Sequence, residues 1–199
     1  MKRCLVVVDV QNDFCPGGAL GVPGGNEVAS ATSALLARDG IAYDHVVATQ
    51  DFHIDPGAHF SETPDFVDSW PPHCRAGSYG ALLHDALDTR RVEAVFRKGQ
   101  YAAAYSGFEG TTSTVTAEGG ELVTGLADWL RGKGVGEVHV VGIATDHCVR
   151  ATALDAAREG FATTVLLGLT AGIAADSTGA ALEQMRGAGV TLVGEPVVG

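Results

Sequence analysis

The side chains of this sequence able to do chemistry fall into two groups. Cys148 closes the run Gly142-Ile-Ala-Thr-Asp-His-Cys148, a passage from an apolar strand into a helix. A thiol in the first turn of a helix meets unpaired backbone N–H groups and the positive end of the helix dipole, which favour a thiolate, and the same N–H groups can hold an oxyanion. Lys98 ends another apolar run and Asp9 a third. An ammonium that favours the thiolate and a carboxylate that takes the thiol proton complete the set an activated nucleophile requires. The bland alternative for Cys148, a small apolar side chain under a sheet, suits Cys4 better, while Cys15 and Cys74 fit either role. The second group is Asp51-x-His53, His59 and His73, in a stretch punctuated by Pro56, Pro64, Pro71 and Pro72. One loop histidine is ordinarily just solvated. Three of the seven, beside a carboxylate, make a mixed nitrogen and oxygen set that suits Zn, Fe(II) or Mn and poorly suits Ca or Mg. His147 adjoins the proposed nucleophile and is placed to tune it, whereas His45, His84 and His139 have no such company.

The elements that must position these groups are β-rich runs at Leu5–Val10, His45–Gln50, Val92–Arg97, Glu137–Ile143, Thr163–Leu169 and Thr191–Val193. Their near-continuous Val, Leu and Ile content suits strands buried on both faces. Helical patterns fall between them at Glu27–Arg38, Leu122–Lys133, Cys148–Glu159 and Thr178–Arg186. In the second, Leu122, Leu126, Trp129 and Leu130 share one face and Gly134 is a stop. This alternation predicts an α/β fold: a doubly wound, mostly parallel sheet of about six strands with helices on both faces. Ligands of such sheets bind beyond the carboxyl ends of the strands, which is where Asp9, Asp51, His53, Lys98 and Cys148 all fall. Two connections, 51–80 and 99–120, are longer than linkage needs and rich in aromatic or ring-forming residues, so they read as functional loops.

Composition narrows the classes. A chain of 199 residues, 46% of them hydrophobic, can build a core without disulfides or a structural metal and reads as a single domain over 1–199. With 24 acidic against 13 basic residues the net charge is -11, which disfavours nucleic acid and anionic membrane surfaces as partners. No apolar run approaches the roughly 20 residues of a membrane span, and Cys4–Val8, followed by Asp9, is too short for a secretory core, so a cytoplasmic address is expected. The four cysteines form no C-x-x-C pair, in keeping with reduced thiols. The dinucleotide, P-loop and G-x-S-x-G signatures are absent. No surface stripe announces an interface, so a monomer and a homo-oligomer are both compatible.

Five ordered motifs, Val8-Asp-Val-Gln-Asn-Asp-Phe14, Asp51-Phe-His-Ile-Asp-Pro-Gly-Ala-His59, Ser69-Trp-Pro-Pro-His-Cys74, Phe96-Arg-Lys-Gly99 and Gly142–Cys148, closely resemble the nicotinamidase/pyrazinamidase group of the isochorismatase-like cysteine hydrolases, over nearly the whole chain. The resemblance implies a triad of Asp9, Lys98 and Cys148, and one divalent transition metal (Zn, Fe or Mn) on Asp51, His53 and His73, with His59 joining directly or through a water. It implies a cis peptide between Ile143 and Ala144, oxyanion donors at Ala144 and Cys148, and a substrate pocket of Phe14, Leu20, Trp70 and Tyr105. The expected activity is hydrolysis of nicotinamide, and of pyrazinamide, through a cysteine thioester, with a role in NAD salvage. The chain departs from the pattern at Ala58, where an acidic residue is common, and at Thr111–Gly120, an extension that reads as a surface hairpin with no catalytic part. A vinyl-ether or other amide hydrolase of the same family is the near rival. A metal or redox sensor using Cys148 and the histidines is the distant one, and it leaves Asp9, Lys98 and the aromatic loop unexplained.

Overall fold

In the computed structural model, which describes residues 1–38 and 43–199, a central sheet is flanked by helices on both faces. The strands are β1 (Lys2–Val8), β2 (His45–Asp51), β3 (Ala94–Lys98), β4 (Thr111–Val115), β5 (Glu121–Gly125), β6 (Val135–Ile143), β7 (Ala162–Gly172), β8 (Thr191–Val193) and β9 (Val197–Val198). They run in the order β5-β4-β3-β2-β1-β6-β7-β8, with β9 beside the end of β7. All pairings are parallel except β3 with β4 and β4 with β5. The helices are α1 (Gly25–Leu36), α2 (Leu126–Gly132), α3 (Arg150–Arg158) and α4 (Ala175–Gly187).

The near-continuous apolar content of β1 is explained by burial on both sides. Cys4, Val6 and Val8 join a core with Leu126, Leu130, Val149, Ala153 and Met185, while Leu5 and Val7 join one with Val28, Ala29 and Leu36 on the opposite face. Strand side chains alternate, so one run of five residues supplies both cores.

Two expectations are corrected. The sheet has nine strands, not six: β4 and β5 form an antiparallel hairpin at one edge, and β9 is a two-residue piece too short for any periodicity to announce. The helix expected from Leu122 begins at Leu126. Leu122 lies in β5 and is exposed, whereas Leu126 and Leu130 are fully buried. The β-branched Thr124 and Val123 pair with Thr112 and Ser113 across the hairpin, and that pairing wins over an apolar spacing that suits either element. The surface hairpin read at Thr111–Gly120 is present, with β5 as its second arm. Gly134 follows α2 at φ 73°, a left-handed stop that a side chain would resist. Among the described residues no helix is long and apolar enough to cross a membrane.

Candidate active site

The carboxyl ends of β1, β2, β3 and β6 are adjacent, and each delivers a functional group. Register pairs Asp51 of β2 with Lys98 of β3, and Val8 of β1 with Gly142 of β6. Just beyond β1 the chain turns at Asp9, whose φ of 47° lies in the left-handed region. Beyond β6 the Ile143–Ala144 peptide is cis. A π-helical turn, Thr145–Val149, then leads into α3, so Cys148 occupies the first turn of a continuous helical stretch, as expected, with the widened turn as the detail that sequence did not announce.

Asp9, Asp51, Lys98 and Cys148 are all buried. One carboxylate oxygen each from Asp9 and Asp51 and the sulfur of Cys148 lie within 4.8 Å of one another. The Lys98 ammonium fills the space among them. Its Nζ donates to Asp51 Oδ1 at 2.5 Å, to Ala104 O at 3.1 Å and to Cys148 Sγ at 3.7 Å, and it stands 2.9 Å from Asp9 Oδ2 as a charge contact without hydrogen-bond geometry. One cation thus faces two carboxylates and a thiol. Burial works against the Lys98 charge, but Asp51 and Asp9 outweigh it and hold the ammonium well above its ordinary pKa. For Asp51, burial is likewise overcome, chiefly by the charge of Lys98, and its carboxyl stays well below the usual range. Asp9 is raised by burial and by the Asp51 charge despite Lys98. The Cys148 thiol is pushed well above its ordinary value by burial, reinforced by the charges of Asp9 and Asp51, against which Lys98 is an insufficient counterweight. The helix terminus and Lys98, which favour a thiolate, are thus opposed by two carboxylates in a dry site, and removal of the thiol proton falls to Asp9.

Next to this cluster lies the histidine group. Ligand atoms of His53, His59 and His73 are within 4.8 Å of one another, and Asp51 Oδ2 is 3.6 Å from His53 Nε2 and 3.8 Å from His73 Nε2. His53 Nδ1 is 2.6 Å from Gly99 O and His73 Nδ1 2.8 Å from Pro71 O. A carbonyl only accepts, so each Nδ1 carries the proton and each Nε2 offers a lone pair to the cluster. His53 Nε2 and His59 Nδ1 are buried without hydrogen-bond partners. Burial and the two neighbouring imidazoles lower His59 to about 4, so it is neutral at pH 7. Buried imidazoles with orphaned nitrogens, two of them oriented by backbone carbonyls and all beside the Asp51 carboxylate, fit a divalent transition metal. His59, which follows Ala58, packs with its ring centre 6.0 Å from those of Tyr105 and Phe60.

Both groups open onto one cleft. It is lined by Phe14, Leu20, Trp70 and Tyr105, all four expected, together with Asp51, His59, His73, Ala144 and Cys148. Trp70 Nε1 donates to the Tyr105 hydroxyl at 3.1 Å, and Phe14 lies 5.4 Å from His73, ring centre to ring centre. Val22, Ile173, His147 and Ile143 complete the lining. Sequence reading passed over the first two; Ile173 follows the end of β7, so the strand-end rule that found Asp9 could have found it. His147 is turned edge-on to Trp70 at 5.1 Å and belongs to the cleft wall. Of the remaining thiols, Cys4, Cys15 and Cys74 are buried and free, and burial raises Cys4 to about 12 and Cys15 to about 11, as inert packing groups.

Comparison with known proteins agrees with this geometry. A nicotinamidase/pyrazinamidase of Mycobacterium tuberculosis is 61% identical over 191 residues, covering 96% of this chain and 98% of the relative. The structure of PnC1 from L. infantum in complex with nicotinate superposes with a TM-score of 0.82 at 36% identity, covering 100% of this chain and 96% of that one. That of a pyrazinamidase of Pyrococcus horikoshii in complex with zinc gives 0.76 at 35% identity, with 97% and 99% covered. Residues 3–195 match the isochorismatase domain, and with a strand-end cysteine, lysine and aspartate gathered on its sheet the chain belongs to the isochorismatase family.

Proposed function

We propose that this chain is a nicotinamidase, an amidohydrolase that converts nicotinamide to nicotinate and ammonia and also accepts pyrazinamide, giving it a role in NAD salvage. The observation that carries the reading is the placement of a Cys148–Lys98–Asp9 cluster at the floor of an aromatic cleft whose adjoining wall is His59, His73 and Asp51. The relatives named above support nicotinamide and pyrazinamide as substrates over a vinyl ether.

Phe14, Trp70 and Tyr105 stack or edge a flat heteroaromatic ring and exclude water from it. A divalent cation of the zinc, iron or manganese type held by Asp51, His53, His59 and His73 supplies a Lewis acid for a ring nitrogen or a water. With the carboxamide carbon over Cys148, Asp9 accepts the thiol proton and the sulfur attacks. The backbone N–H groups of Ala144 and Cys148 take the negative charge that develops on oxygen. Asp9 returns its proton to the departing nitrogen, releasing ammonia and leaving a thioester on Cys148. Asp9 then takes a proton from an entering water, whose oxygen displaces the sulfur, and nicotinate leaves with the thiol restored. The raised pKa of Asp9 suits it to hold the proton between these steps, and Lys98 keeps the anionic groups from repelling one another. The whole chain is the catalytic domain in this reading, and four free thiols suit a reducing compartment such as the cytoplasm.

The test is ammonia release from nicotinamide by the wild-type chain and by Cys148→Ala, with mass spectrometry of the quenched wild-type reaction. The expected result is a nicotinoyl adduct on the peptide containing Cys148 and loss of turnover in the variant. Turnover near the wild-type rate without the thiol overturns the reading.

A further inference from the structure

Asp9 has two carboxylate oxygens, and one of them, Oδ2, stands against the Lys98 ammonium. The other is held by Thr49, a fully buried residue of β2. Thr49 Oγ1 donates to Asp9 Oδ1 at 2.6 Å and accepts from the Asp9 backbone N–H at 3.2 Å. The second bond is placed where the ladder between β1 and β2 stops: Val7 with Ala48 is the last pair, and at Asp9 the chain swings to a φ of 47°. A strand acceptor is lost there, and the hydroxyl replaces it. With Oδ1 engaged by the Thr49 hydroxyl, Oδ2 is the oxygen left free of hydrogen bonds for proton transfer. It carries no hydrogen bond and stands 2.9 Å from Lys98 Nζ, which reaches Cys148 Sγ at 3.7 Å.

The Thr49 side chain is itself held. A Cβ on Gly107 would lie 2.6 Å from Thr49 Cγ2, so the γ-methyl occupies the space that the glycine leaves open. Gly107 is fixed from the other side, its N–H donating at 2.9 Å to Thr152 Oγ1 in α3, the helix that continues from the Cys148 turn. A chain of contacts therefore runs from the nucleophile's helix through Gly107 and Thr49 to Asp9.

We infer that Thr49 is a positioning residue that sets the carboxylate of Asp9, with Gly107 setting Thr49. The inference rests on Asp9 being the proton acceptor of the proposed hydrolysis. Neither Thr49 nor Gly107 lines the cleft, so removing the hydroxyl should act on turnover and not on substrate binding.

The experiment is steady-state nicotinamide hydrolysis by the full chain. Thr49→Val, which keeps the shape and loses the hydroxyl, should lower kcat by about 10- to 100-fold, the loss expected for one hydrogen bond to an ionised group, with KM within about twofold. Thr49→Ser should keep at least about half of the wild-type kcat, because the hydroxyl alone carries the effect. Gly107→Ala should lower kcat by displacing the γ-methyl, and adding Thr49→Ser should restore it by removing that methyl. A Thr49→Val kcat within about twofold of wild type, a loss residing in KM, or a Thr49→Ser variant no better than Thr49→Val overturns the inference. If Thr49→Val does not fold, the Gly107→Ala pair decides, and failure of the second change to restore kcat overturns it. Asp9→Asn separates the two levels. Turnover near wild type in that variant removes the base and this inference together, whereas an inactive Asp9→Asn beside a fully active Thr49→Val leaves the base standing and removes only the role of Thr49.

Discussion

Lys98 is a fully buried cation with three acidic groups around it, and its removal is the most severe single change open to the site. Lys98→Met would leave Asp9 and Asp51 within one dry cluster without a counter-charge. Breaking such a buried arrangement costs about 3–5 kcal/mol, so the variant should show a lower urea midpoint as well as lost turnover, even with metal added. An unchanged midpoint would mean that the carboxylates had taken up protons at little cost. Asp9, Lys98 and Cys148 were legible in the sequence because each is a polar or reactive residue at the end of an apolar run. The upward push on the Cys148 thiol was not, since it depends on how many charges converge within a few ångströms from four different strand ends. Thr49 was invisible for another reason: in His45-Val-Val-Ala-Thr-Gln50 a threonine is an ordinary strand former, and only the partner across the sheet gives its hydroxyl a task.

At the scale of elements, close approach of β1 to β6 is what brings Asp9 beside the Ala144 turn. It depends on Gly142, whose φ is 121° and where a Cβ would meet the Val8 carbonyl oxygen at 2.1 Å. Gly142→Ala has no flexible neighbour to displace, only backbone. It should cost about 3 kcal/mol or more, read as a fall in the thermal midpoint and in soluble yield. The loop before Trp70 is organised by Asp65, whose carboxylate accepts from the backbone N–H groups of Val67, Asp68 and Ser69 and from the Ser69 hydroxyl. Those bonds hold its carboxyl far below the usual range, so the stabilisation is full above the unfolded value of about 4 and is lost as pH falls below it. Asp65→Asn weakens the brace at every pH and should raise KM for nicotinamide while leaving kcat near wild type, because Trp70 is loosened and the strand-end groups are not. Six of the nine strands, and α1, α3 and α4, were readable from periodicity to within a few residues. The hairpin of β4 and β5 was split, its first arm read as surface extension and its second as helix, because Leu122 of β5 stands four residues before Leu126 and so prolongs the apolar spacing of α2 backwards into the strand.

For the whole molecule, a net charge of -11 says little about a neutral substrate. Salt screening should therefore leave kcat/KM for nicotinamide within about twofold between low salt and about 0.5 M NaCl, a range that would strongly alter capture of a charged ligand. A steep dependence would point to an anionic substrate instead. The sheet also divides the site by origin. Asp9, Asp51, Lys98 and Ala144 issue from adjacent strands, so their separations follow the spacing of the β ladder, about 4.8 Å from one strand to the next. Phe14, Leu20, His59, Trp70, His73 and Tyr105 come from connecting segments that no ladder constrains. Bond breaking is thereby assigned to the part of the molecule that cannot drift, and recognition to the part that can be recut. Exchanging the 54–80 segment, which leaves Asp51, Ala104 and Gly107 in place, should redirect the same chemistry to a different amide, which makes this chain a ready parent for amidases of altered specificity.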